Sequence, residues 1–172
     1  MNTNDTPAAE AGKPSVAHDA LRRLCVVMEK RQLDNRWSDH QWEAVAILPE
    51  RDEAAPRLLR GDARMEQWLY PALALELHAD EVDNYLLNLG APEPRLFVVT
   101  RSGAERIEPF SLTVSYGEAA RMLDAGETVD GIPLPTELWI WIGRFCEAHY
   151  QPPEPRREKR YARAPKVTEL RS

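Results

Sequence analysis

Over the first two thirds of the chain, apolar side chains return at every second position in short runs, the signature of half-buried β-strands. The first run covers about Leu21 to Glu29. The second, about Gln41 to Leu48, sets Trp42, Ala44, Ala46 and Leu48 on one face and stops at Pro49. A charged loop, Glu50 to Asp62, separates it from the longest run, about Glu66 to His78. There Leu69, Leu73, Leu75 and Leu77 share a face, and Glu76 and His78 point the other way. Pro71 has no amide donor, which predicts an edge strand or a bend at that point. Two more short strands are predicted, Asn84 to Leu89 and Arg95 to Thr100, on either side of a turn at Gly90-Ala91-Pro92-Glu93-Pro94. A sixth spans about Ile107 to Val114, with Phe110, Leu112 and Val114 on one side.

The period then changes. Ser115-Tyr116-Gly117-Glu118 reads as a capping box, in which the serine accepts from the amide three residues on and the glutamate reaches back. It predicts a short helix over about Gly117 to Leu123, with Gly126 just past its end as a stop. Gly131-Ile132-Pro133-Leu134-Pro135 reads as a rigid connector. A last helix starts near Thr136, with Pro135 in its first turn. Leu138, Trp139, Ile142, Phe145, Cys146 and His149 recur along it at three- and four-residue spacing, Arg144 and Glu147 lie opposite, and Pro152-Pro153 ends it. The links between strands are too short for helical crossovers, so neighbours should be antiparallel. The expected fold is α+β: a curved antiparallel sheet or partly open barrel of about six strands with two C-terminal helices.

The 172 residues suit one domain, here 21–150, and an apolar fraction of 43% supplies a core. Residues 1–20 are polar and Pro/Ala-rich and read as disordered. No run of about eighteen apolar residues is present to span a membrane, and the start shows no export signal, so a cytoplasmic protein is expected. The net charge is −6. The tail 151–172 holds seven basic residues against three acidic ones, about +4, which leaves about −10 for residues 1–150. Nucleic acid is therefore not the expected partner of the domain. The tail, with Arg156, Arg157, Lys159 and Arg160, is either a solvated flexible end or a contact for an acidic protein partner or a polyanion.

No arrangement of residues signals catalysis. His18, His40, His78 and His149 form no ligand spacing, and Cys25 and Cys146 form no CxxC pair. Neither a catalytic set nor a metal nor a cofactor is expected. Cys146 and His149 could meet on one helix face, where packing is the better account. Gly61, Gly90, Gly103 and Gly117 are isolated, which argues against a phosphate-binding loop. The Asp80-Glu81-Asp83 cluster lacks an EF-hand pattern and reads as a solvated turn between strands. Arg36, Trp37 and Trp42 have the composition of either a partner contact or the rim of a core. Trp141, at the edge of the last helix's apolar face, and Ile140, well off it, mark a further contact patch.

Several segments together resemble a bacterial domain family of unknown function. They are Val27-Met28-Glu29-Lys30-Arg31, Asn35-Arg36-Trp37, Trp42-Glu43, Leu48-Pro49, Tyr85, Asn88-Leu89, Pro92-Glu93-Pro94, Leu96-Phe97-Val98-Val99 and Arg101. Val114-Ser115, Glu118-Ala119-Ala120, Val129-Asp130, Pro133-Leu134-Pro135, Trp141 and His149-Tyr150 complete the match, over about residues 21 to 161. Members are typically encoded beside formate dehydrogenase genes. The resemblance implies a non-enzymatic accessory or maturation protein that binds a molybdenum- or tungsten-dependent formate dehydrogenase, or its maturation machinery. The rival it leaves open is a molybdopterin-cofactor-handling protein, with Arg95, Arg101 and Arg106 meeting the anionic phosphates.

Overall fold

A computed structural model describes residues 20–34, 39–103 and 106–152. Among these residues seven strands form two antiparallel sheets. The first sheet has the order β2-β1-β4-β3, from β1 (Leu21–Gln32), β2 (His40–Pro49), β3 (Arg57–Gly61) and β4 (Met65–Glu76). The second has the order β6-β5-β7, from β5 (Arg95–Ser102), β6 (Ile107–Thr113) and β7 (Thr128–Pro133). Three helices complete the fold: α1 (Val82–Leu89), α2 (Tyr116–Asp124) and α3 (Thr136–His149). The sheets adjoin at two seams. The Tyr70 hydroxyl of β4 donates to the Ile107 carbonyl of β6 at 3.3 Å, and the Ala44 amide of β2 donates to Asp130 Oδ2 of β7 at 2.9 Å. Neither seam is a continuous ladder, so the sheets do not close into a barrel.

β1 is the central beam of the larger sheet. Leu24 to Met28 are all buried, because both faces of the strand are covered. Leu24, Val26 and Met28 join the main core with Tyr70, Leu75, Leu96, Val98, Ile142 and Phe145. Cys25 and Val27 face the other way and pack on Leu69, Ala46 and Leu48. β3 pairs with β4 only from Glu66 to Leu69, so among the described residues Pro71 lies where β4 has β1 as its single ladder partner, and it also marks a bend. Between the pairs Leu24↔Leu73 and Val26↔Tyr70, Pro71 and Ala72 oppose Cys25 alone. This bulge holds Ala72 at φ 61, left-handed backbone that disfavours a side chain.

Several expected elements are corrected. Asn84 to Leu89 is not a strand but most of α1, whose Val82, Tyr85 and Asn88 are buried at three-residue spacing. The described residues therefore hold three helices where two C-terminal ones were expected: α1 lies between β4 and β5, α2 between β6 and β7, and α3 alone follows the last strand. The charged 50–62 loop contains β3, exposed at every position. The 131–135 connector is largely the end of β7, paired with β5 from Thr128↔Thr100 to Pro133↔Arg95. The Asp80-Glu81-Asp83 cluster leads into α1 through a 3-10 turn, Ala79–Glu81, so it does not join two strands. Residues 1–19 and 153–172, which hold the expected disordered start and nearly all of the basic tail, lie outside the described residues.

Candidate functional site

Three separate segments meet to form an open groove of about 980 Å³. They are the start of β1 (Leu21 to Leu24), the end of β2 with the next residue (Ile47 to Glu50), and the start of α3 (Pro135 to Arg144). Leu24, Leu138 and Trp141 are buried and form its floor, because the start of β1 and the first turns of α3 both turn these side chains inward. The rim keeps apolar surface in water: Leu21 is 36% exposed and Ile140 43%. The Arg22 guanidinium lies 4.7 Å from the centre of the Trp141 ring, a cation–π contact that joins β1 to α3. Arg23 and Arg144 are exposed and make no ion pair with a described residue. Glu50 and Glu137 supply the opposing charge on the rim. α3 starts at Pro135 without a side-chain cap.

The sequence singled out Trp141 and Ile140, and both line this groove. Trp141 is corrected in one respect: at 7% exposure it belongs to the core and not to the edge of a face. Trp42 lies elsewhere, half-buried against the core with Lys30 Nζ 5.8 Å from its ring centre. Arg36 and Trp37 lie outside the described residues, as do Arg156, Arg157, Lys159 and Arg160. The residues that sequence reasoning missed here are Leu21 to Leu24, Ile47 to Glu50 and Arg144 as a rim charge. No local motif marks them, because the groove exists only once three distant segments are brought together.

The three arginines proposed for an anionic ligand do not form one site. Arg95 sits at the start of β5, bonded to Glu93 at 2.6 Å and to the Gly131 carbonyl at 2.9 Å. Arg101 sits six residues along the same strand, roughly 20 Å away at strand rise. It stacks 3.4 Å from the Phe110 ring centre and pairs with Glu127 at 3.6 Å. Arg106 covers the Trp68 ring at 4.0 Å.

The groups that could carry chemistry have structural partners. Burial pushes the Cys146 thiol up to about 11, away from the thiolate a nucleophile needs. His149 stacks on Phe145, with ring centres 4.1 Å apart, and its Nδ1 lies 2.9 Å from the Phe145 carbonyl. Glu29 is buried, and hydrogen bonds from Gln67 and Arg31 hold its carboxyl below the usual range. Glu81 is likewise lowered, chiefly by the Ser115 hydroxyl at 2.6 Å, with Arg121 and Asn84 adding at 2.9 and 2.8 Å. Among the described residues no three His, Cys, Asp or Glu side chains converge on a point where a metal could sit.

No curated protein and no solved structure matches this chain. A family model described as "Protein of unknown function (DUF3305)" matches residues 23–160, which takes in both sheets, all three helices and nearly the whole groove, and the chain belongs to that family.

Proposed function

We propose that this protein is an accessory or assembly factor for a molybdenum- or tungsten-dependent formate dehydrogenase, and that it works by binding a protein and not by catalysis. The observation that carries the binding part is the groove. It combines solvent-exposed apolar rim residues with the exposed Arg23 and Arg144, which make no ion pair with a described residue, the composition of a contact centre. The partner's identity rests on the resemblance of the segments quoted above, and the family match leaves that identity to experiment. The rival, a protein that handles the cofactor itself, has weaker support because Arg95 lies far from Arg101 on β5.

The test is immunoprecipitation of the untagged protein from host cells that are making formate dehydrogenase. The dehydrogenase, or a maturation protein of it, should be recovered in a fixed ratio. The exposed-site variant Ile140→Asp should reduce that recovery about tenfold while folding normally. Recovery of the protein with neither partner would refute the proposal.

A further inference from the structure

A separate, smaller cavity of about 200 Å³ opens where β4, the second sheet and α2 meet. Strand alternation explains which side chains reach it. On β4, Leu75 and Leu77 turn into the core, so Ala74, Glu76 and His78 stand on the opposite face. On the second sheet, Val98, Leu112 and Val114 are core residues. Val99, its cross-strand partner Ser111, and Thr113 therefore share the other face. These three form the floor, with Glu76 and His78 on one wall and Glu118 and Met122 of α2 on the other.

Both carboxylates here have capacity to spare. The Glu76 side chain makes no hydrogen bond or ion pair with a described residue, and Arg23, opposite Ala74 on β1, does not pair with it. Glu118 is half-buried, and the Thr113 hydroxyl occupies Oε2 alone, so Oε1 has no described donor. Ser111 adds a hydroxyl, and among the described residues no lysine or arginine lines the cavity. The acids and His78 do not converge as a metal would require. A carboxylate drawn partly out of water is best offset by a charged donor, and the apolar Val99 and Met122 beside it suit methylene groups. The cavity far exceeds the ~10–15 Å³ that one water needs and falls short of the ~300–1,000 Å³ of a drug-sized site. It has room for one long side chain. We infer that it binds a primary alkylammonium group, with the ammonium at Glu76 and Glu118 and the stem on Val99 and Met122. A lysine side chain and a free diamine both carry that group. The site goes beyond the accessory role and does not depend on it.

The experiment titrates the isotope-labelled full chain with N-acetyl-lysine amide and with cadaverine, and follows amide chemical shifts by NMR. Both probes should move a common set of signals around Glu76, Ser111, Thr113 and Glu118. N-acetyl-norleucine amide, which has an apolar stem and no charge, should leave them in place. Glu76→Gln should raise the Kd for both amines about fivefold, with an unchanged melting temperature because the position is exposed. Adding Glu118→Gln, which keeps an acceptor for Thr113, should bring the loss to at least about tenfold. Tighter binding of the lysine probe would support the site and assign it to a lysine of a polypeptide. Tighter binding of cadaverine would support it and assign it to a free diamine. Four results would overturn the inference: no localised shift, shifts centred elsewhere, an equal response to the norleucine probe, or an unchanged Kd in the double variant. Tighter binding of N-acetyl-arginine amide than of the lysine probe would overturn the assignment to an ammonium.

Discussion

Asn88 shows what a single polar side chain does inside this fold. It is fully buried, and its amide donates to the carbonyls of Arg95 and Val114 at 2.7 and 2.8 Å and accepts from the Arg95 amide at 2.9 Å. The side chain thus ties the end of α1 to the start of β5 and to the exit of β6. Asn88→Ala would leave the buried Val114 carbonyl and the half-buried Arg95 amide and carbonyl without this partner, each costing up to about 1–3 kcal/mol. The expected loss is about 3 kcal/mol or more, read as a lower urea midpoint. Asp130 makes an opposite case. Burial raises its carboxyl above the ordinary aspartate value, opposed by the Ala44 amide bond. A raised carboxyl favours folding only where it is protonated, and that benefit is lost as the pH rises through its folded pKa. Near neutrality the charge therefore costs stability. Asp130→Asn keeps an acceptor for the Ala44 amide and removes the charge. Its melting temperature should exceed wild type by a few degrees at neutral pH, and the gap should close below about pH 3.9, the ordinary aspartate pKa.

At the scale of elements, the junction before α2 gathers residues from three of them. Ser115 caps the helix as the sequence indicated, accepting from the Glu118 amide at 3.1 Å. The reciprocal half of the box is altered: the Ser115 amide donates to Thr113 Oγ1 at 3.0 Å, and the Glu118 carboxylate takes the Thr113 hydroxyl instead. The Ser115 hydroxyl also donates to Glu81, which fastens α2 to the start of α1. Ser115→Ala should cost about 1–2 kcal/mol, and Ser115→Thr, which keeps the hydroxyl, clearly less. Chemical denaturation of the two variants would separate them. The strands that were legible, β1, β2, β4, β5 and β6, bury at least one face, and burial writes a two-residue period into a sequence. β3 is exposed throughout and has no such period to show. β7 hides behind Gly131 and Pro133, which read as breakers although both are paired with β5. α1 was misread because it has only eight residues, because Asn88 fills a buried turn position where an apolar residue was expected, and because Leu86 and Leu87 face solvent beside Tyr85.

For the whole molecule, the decisive fact is that one core draws on both sheets. β1 and β4 of one sheet, β5, β6 and β7 of the other, and α1 and α3 all contribute buried side chains to it. The sheets should therefore unfold together: circular dichroism and tryptophan fluorescence should trace coincident transitions, and separated midpoints would show that one sheet melts alone. The same long-range assembly explains why the groove was only half legible. Trp141 and Ile140 could be singled out from one helix, but nothing near them in sequence indicates that Leu21 to Arg23 and Ile47 to Glu50 arrive beside them. The six consecutive buried positions of β1, Leu24 to Glu29, have a last implication, for how this strand can change over evolution. From Leu24 to Met28 it has no free side, so selection there is bound to shape and volume alone. In the overhang before them Arg22 is held on Trp141, whereas the exposed Leu21 and Arg23 can drift in charge and size without disturbing the scaffold, and both line the groove. The strand is a fixed shaft with an interchangeable tip, so related chains could change what they grip while keeping the same frame.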